Sequence, residues 1–166
     1  VSTGYDEADA YELAANLHVL RAVILHGRGS GPLPLPPMGS VPEPAELSEA
    51  EARAVMAGAT QIVLARLRGR GYPDPEVADI NSGRCVDWAE LVCGVVAGMI
   101  MTEWDDPQSG LLHTFVHWQG RWYDAERLDG TADVTGLPIF SRFPGTRSGP
   151  EFVRNTADVL AEYWRD

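Results

Sequence analysis

The sequence predicts an α+β domain: a helical N-terminal half, an apolar helix packed on a small antiparallel sheet, and a closing C-terminal helix. Three observations predict it. Apolar residues recur near helical spacing through Leu13, Leu17, Leu20, Val23 and Ile24, and again through Val55, Ile62, Val63 and Leu67. Aromatic and β-branched runs, 111–118 and 121–126, are separated only by Gln119-Gly120, a two-residue turn with glycine where a positive φ is needed. Between these parts, Cys85 to Met101 is almost wholly apolar after Glu90 and too long for a typical strand, so it reads as a buried helix. The chain has 166 residues, one domain spanning 1–166 and long enough for a core without disulfide staples.

The elements follow in order. Glu7 to His26 is the first helix, and Gly27 to Pro44, dense in Gly and Pro, is an extended surface connection. Ser48-Glu-Ala-Glu51 is a capping box that opens a second helix reaching Arg68, where Gly69 stops it. Arg70 to Ile80, with Pro73 and Pro75, is a loop delivering the chain to Cys85. Asn81-Ser82-Gly83 supplies capping and turn chemistry, which puts Cys85 in the first turn of the apolar helix. Thr102 to Gly110 is a polar turn without the ligand spacing or terminal Glu of a calcium loop. Arg127 to Gly136 is a loop and Leu137 to Phe140 a short strand. Gly149-Pro150 introduces a last helix from Glu151 to Trp164. No repeat or internal boundary interrupts the chain.

Spacing and parity then single out three residues. At a helix start the unsatisfied N–H groups and the positive end of the macrodipole favour a thiolate, so Cys85 is the candidate nucleophile. Most free cysteines are small buried hydrophobes, so its partners decide. With Gln119-Gly120 at the turn, Trp118 faces Arg121 and Phe115 faces Asp124. His113, Phe115 and His117 then share a face with Trp122, Asp124 and Glu126. His113 and Asp124 become diagonal neighbours, the relation a base and its orienting carboxylate need. Asn81 just ahead of the cysteine, Trp88 and Trp122 as aromatic walls, and His117 at the rim are the expected pocket residues.

No metal or other cofactor is expected. Eight residues of helical rise separate Cys85 from Cys93 by about 12 Å, and strand rise separates His113 from His117 by about 13 Å. One tetrahedral zinc with bonds near 2.0 to 2.3 Å cannot bridge such pairs. A disulfide between the two cysteines is beyond reach for the same reason.

The pattern Gly83-x-Cys85-x-x-Trp88-Ala89, followed by His113-x-Phe115 and Gly120-x-Trp122-x-Asp124, resembles the transglutaminase-like branch of the papain-like cysteine-nucleophile superfamily. The stretch from His113-Thr-Phe-Val to Gly120-Arg-Trp-Tyr-Asp124-Ala-Glu126 looks like a group of small uncharacterised bacterial members. The resemblance covers about residues 81 to 141. It implies a papain/transglutaminase-like core, with Cys85 as nucleophile, His113 as base and Asp124 as orienter. The spacing from His113 to Asp124 is shorter than in typical transglutaminases, so their substrate class does not carry over.

Composition bounds the partners. A formal charge of −11 and a pI near 4.7 argue against nucleic acid or an anionic membrane as the main partner. All 13 basic residues are Arg, so no lysine offers an amine for self-cross-linking or a Schiff base. No secretory signal opens the chain, which begins at Val1. A leader removed by processing would leave the same start, and the expectation is a cytoplasmic protein. The expected function is a cysteine peptidase, amidase or transglutaminase-like acyltransferase acting through a thioester on a protein, peptide or small amide. The alternative is a catalytically silent binding or assembly module on the same fold. Gly27 to Pro44 and Arg127 to Gly136 are the segments long enough to border the cleft. Oligomeric state is not legible.

Overall fold

In a computed structural model, residues 12, 15–22, 24, 43–143 and 153–155 are described. Residues 15–22 are helical (α1). There follow α2 (Glu49–Gly69), α3 (Val77–Asn81), α4 (Cys85–Val95), β1 (Ile100–Asp106), β2 (Leu111–Trp118), β3 (Arg121–Tyr123) and β4 (Val153–Asn155). The ends of the expected first helix, most of the Gly27 to Pro44 connection and the remainder of the expected last helix lie outside the described residues. The coarse class is α+β. No helix among the described residues is long and apolar enough to cross a membrane.

The helical half follows its local signals. Ser48 Oγ accepts from the Glu51 N–H and the Glu51 carboxylate accepts from the Ser48 N–H, so the capping box starts α2 as its spacing predicts. α1 seats its leucines where α2 and α4 carry glycines. A Cβ on Gly58 would meet Leu20 at 2.5 Å and one on Gly94 would meet Leu17 at 2.6 Å. Glycine at these points lets the helices approach closely.

The strands form one antiparallel sheet in the order β3-β2-β1-β4. Gln119 (φ 48°) and Gly120 (φ 74°) both take left-handed backbone, as a type I′ turn requires, and Trp118 pairs with Arg121. Side chains on β2 then alternate between two cores. Val116 and Trp118, with Tyr123 from β3, join the large core shared with α1, α2 and α4. Leu111 and Phe115 point the other way, into a smaller aromatic core with Trp104, Leu137, Ile139 and Phe140. The sheet is therefore covered on both faces.

Five expectations are corrected. The apolar helix ends at Val95, not Met101: Val96 turns to extended backbone, Gly98 takes φ 80°, and strand β1 begins at Ile100. Thr102 to Asp106, expected as a polar turn, is most of that strand, with Thr102, Trp104 and Asp106 buried on alternate positions. Val77 to Asn81 is helical rather than loop, its start held by the Asp79 carboxylate accepting the Glu76 N–H at 2.7 Å. Leu137 to Phe140 is not a strand; Pro138 opens a 3-10 turn running to Arg142. Residues 153–155, expected inside a helix, pair with β1.

Candidate active site

The site lies where β2 outlasts β3. β3 pairs only with residues 116–118, while β2 extends back to Leu111. In this register the Thr114 N–H points to the side that β3 has already left, and a backbone N–H without a strand partner needs another acceptor. Cys85 supplies it: the Thr114 N–H donates to Cys85 Sγ at 3.5 Å. The first residue of α4 thus plugs the open sheet edge. Asn81-Ser82-Gly83, expected from sequence to cap α4, instead closes α3, with the Ser82 and Gly83 N–H groups donating to Ala78 and Ile80 carbonyls. The N-cap of α4 is Arg84, which makes no side-chain cap. The first-turn N–H groups beside Cys85 therefore have no capping side chain.

From the other face comes His113, fully buried, as is Asp124. Nε2 of His113 lies 3.2 Å from Asp124 Oδ2, so an Nε2–H donates to the carboxylate and leaves Nδ1 for the thiol. Nδ1 is buried and makes no aligned hydrogen bond, although Cys85 is close enough to interact with the ring. Such a contact commonly tightens only when a substrate is bound. The other Asp124 oxygen, Oδ1, accepts the Glu126 N–H at 3.0 Å. Both carboxylate oxygens are thereby engaged.

The electrostatics run in one direction. Burial by itself would push the Cys85 thiol up, but the adjacent His113 ring and its charge, together with the Thr114 N–H, carry it below its usual value. Burial likewise opposes charge on His113, yet Asp124 and Cys85 together push its imidazole up to about 9. The pair favours thiolate beside imidazolium, a coupled unit rather than two independent groups. Cys93, eight residues along α4, shows the contrast: burial, with Glu90 nearby, pushes its thiol up to about 12.

The remaining expected residues divide. His117 and Trp122 stack with ring centroids 4.1 Å apart, and Phe115 meets Trp122 edge-on at 5.5 Å, so an aromatic row runs from His113 along this face. Asn81 is near the site but acts inward: its Nδ2 donates to Glu126 at 2.7 Å and its Oδ1 is buried without a partner. Trp88 does not wall the site. It is 1 % exposed in the large core, where its indole N–H donates to Thr60 Oγ1 at 3.0 Å and to the Met56 carbonyl of α2. Its ring packs toward α2.

No family model, curated protein or solved structure matches the chain. Sequence reasoning missed Arg142, whose guanidinium makes a two-pronged ion pair with the Glu126 carboxylate. It also missed Thr114, whose role depends on where β3 ends. The Arg127 to Gly136 segment returns along β3, where Thr131 and Trp122 exchange backbone hydrogen bonds. Among the described residues no group of three or more His, Cys, Asp or Glu is placed to hold a metal ion.

Proposed function

We propose that the protein is a cysteine-nucleophile enzyme that acts on an acyl substrate, an amide or peptide, through a thioester, with a papain/transglutaminase-like core. The observation that carries this reading is the ordered relay of a thiol at a helix start, a buried imidazole and a buried carboxylate, with the thiol shifted down and the imidazole up. A cysteine kept only for packing has no need of that company; Cys93 has none of it.

The chemistry follows from the atoms. Nδ1 of His113 takes the Cys85 proton, and Sγ attacks the acyl carbon to form a C–S bond. The carbonyl π electrons move to oxygen, and the first-turn N–H groups of α4 are the donors at hand for that oxyanion. Collapse re-forms the carbonyl and breaks the bond to the leaving amine, which takes its proton from His113. Water or a second amine, deprotonated by the same imidazole, then attacks the thioester carbon; the carbonyl re-forms as the C–S bond breaks, Sγ leaves as a thiolate beside the imidazolium of His113, and a carboxylic acid or a new amide is released. Hydrolysis and transfer share every residue and differ in which nucleophile arrives second.

The test is adduct mass. Incubating the protein with a panel of activated acyl esters and amides and measuring the intact mass should give one acyl addition, mapped to the peptide carrying Cys85 and absent from Cys85→Ala. Addition at Cys93, or none across the panel while Cys85 stays reduced, contradicts the proposal and leaves a binding module.

A further inference from the structure

Beyond the three residues of the relay, a second charged cluster is built around Glu126, two residues past Asp124. Glu126 is held at three points: its N–H donates to Asp124 Oδ1 at 3.0 Å, its carboxylate accepts from Asn81 Nδ2 at 2.7 Å, and both carboxylate oxygens receive the guanidinium of Arg142. Those contacts join three separate pieces of chain: the C-terminal end of α3, the segment leaving β3, and the 3-10 turn at Pro138–Arg142. α3 leads directly into the Cys85 helix, so the cluster connects the element that delivers the thiol to the element that orients the imidazole.

We propose that Glu126 and Arg142 are positioning residues for the Cys85–His113–Asp124 relay, a clamp that fixes the Asp124 carboxylate and, through its two opposed charges, sets the pH at which the His113 imidazole gives up its proton. The inference rests on the relay reading above. A lone surface ion pair would carry little weight, but this one is two-pronged, has a side chain 15 % exposed on the Glu126 side that accepts from the buried Asn81 amide, and belongs to a residue whose backbone N–H donates to the buried Asp124 carboxylate.

The charges facing His113 come from every side. Cys85 faces it from α4, where Arg84 and Asp87, its neighbours in sequence, pair with each other at 3.7 Å. Asp124 and Glu126 face it from the segment after β3, and Arg142 stands behind both carboxylates. From β1, Asp106 shares the His113 face, whereas Glu103 and Asp105 take the other. Among these, Glu126 and Arg142 are the opposed pair tied to the Asp124 segment, and their charges can be removed without touching a relay side chain. The Arg142 guanidinium holds the Glu126 carboxyl below its usual range, so Glu126 is an anion at neutral pH, and its charge and that of His113 favour one another.

The signs are therefore opposite for the two partners. Removing the anion destabilises imidazolium, and removing the cation stabilises it. Neutral variants Glu126→Gln and Arg142→Gln and their double mutant are titrated by NMR with 13C-labelled histidine, His113 being assigned by its loss in His113→Gln. The His113 midpoint should fall by about 0.5 units or more in Glu126→Gln, rise by a smaller amount in Arg142→Gln, whose charge stands further off, and return toward the wild-type value in the double variant. Shifts of one sign in both single variants, or none, overturn the clamp and leave the pair as a plain tie between loops. Should Arg142→Gln fail to fold, Glu126→Gln decides alone: a downward shift supports the clamp, and an unchanged or raised midpoint overturns it. Rapid iodoacetamide labelling of wild-type Cys85 checks the relay separately, so loss of the relay reading and loss of the clamp give different results.

Discussion

Cys85 and Cys93 share one helix, about two turns apart, yet they are chemically opposite. Burial pushes both thiols up, and neither is fully exposed, so depth does not separate them. The company each keeps does. Cys85 meets an imidazole and a strand N–H left over by a short neighbour, while Cys93 meets apolar packing and the carboxylate of Glu90. A helix start alone does not lower a thiol here; the open edge of β2 brings the N–H and the imidazole that do.

The comparison breaks most sharply at His113. His113→Gln removes the ring that opposes burial, so the Cys85 thiol climbs above its ordinary value and moves toward the condition of Cys93. Alkylation of Cys85 at pH 7 should fall on the order of 10- to 100-fold, a loss of one to two pKa units of thiolate. An unchanged rate means His113 is not what distinguishes the two cysteines. Thermal unfolding of the same variant separates this from loss of the fold.

Asp124→Asn is a subtler change, because an amide keeps the shape of the carboxylate. It can accept the same Nε2–H but also allows the wrong tautomer, with the proton on the nitrogen that faces Cys85. The rate of acyl-adduct formation should drop about 100-fold or more, with the secondary structure retained by circular dichroism. Full activity would remove Asp124 from the relay and leave a cysteine–histidine pair.

The hairpin that carries these two residues was legible because its signals are local. Gln119-Gly120 admits a type I′ turn, and strict alternation on either side leaves one register that keeps Phe115, Val116 and Trp118 buried. His113 beside Asp124 followed from parity alone. The boundary between α4 and β1 was not legible, since Val92 to Met101 stays apolar through the end of one element and into the next, and only Gly98 marks the turn. β1 itself was hidden by Glu103, Asp105 and Asp106, which read as solvated until pairing with β2 buries alternate positions, Asp106 among them.

β4 had no local signal at all, because it is a strand only by virtue of pairing with β1, fifty residues away in the chain. The same holds within the site. Cys85, His113 and Asp124 were found from spacing, whereas Arg142 reaches Glu126 through a 3-10 turn that the sequence suggested as a strand. Trp88 was misplaced because the spacing on α4 does not say which element covers it, and α2, distant in sequence, does so.

The most direct measurement is competitive alkylation of the native protein by iodoacetamide across pH 5 to 10, an interval chosen around the ordinary thiol value, with the Cys85 and Cys93 peptides quantified separately by mass spectrometry. The lowered thiol of Cys85 is ionised at lower pH than an ordinary cysteine, and Cys93, pushed up to about 12, is almost wholly protonated throughout. Cys85 should label with a midpoint below 9 and far ahead of Cys93 at pH 7. Equal rates, or faster labelling of Cys93, would contradict the account at its centre.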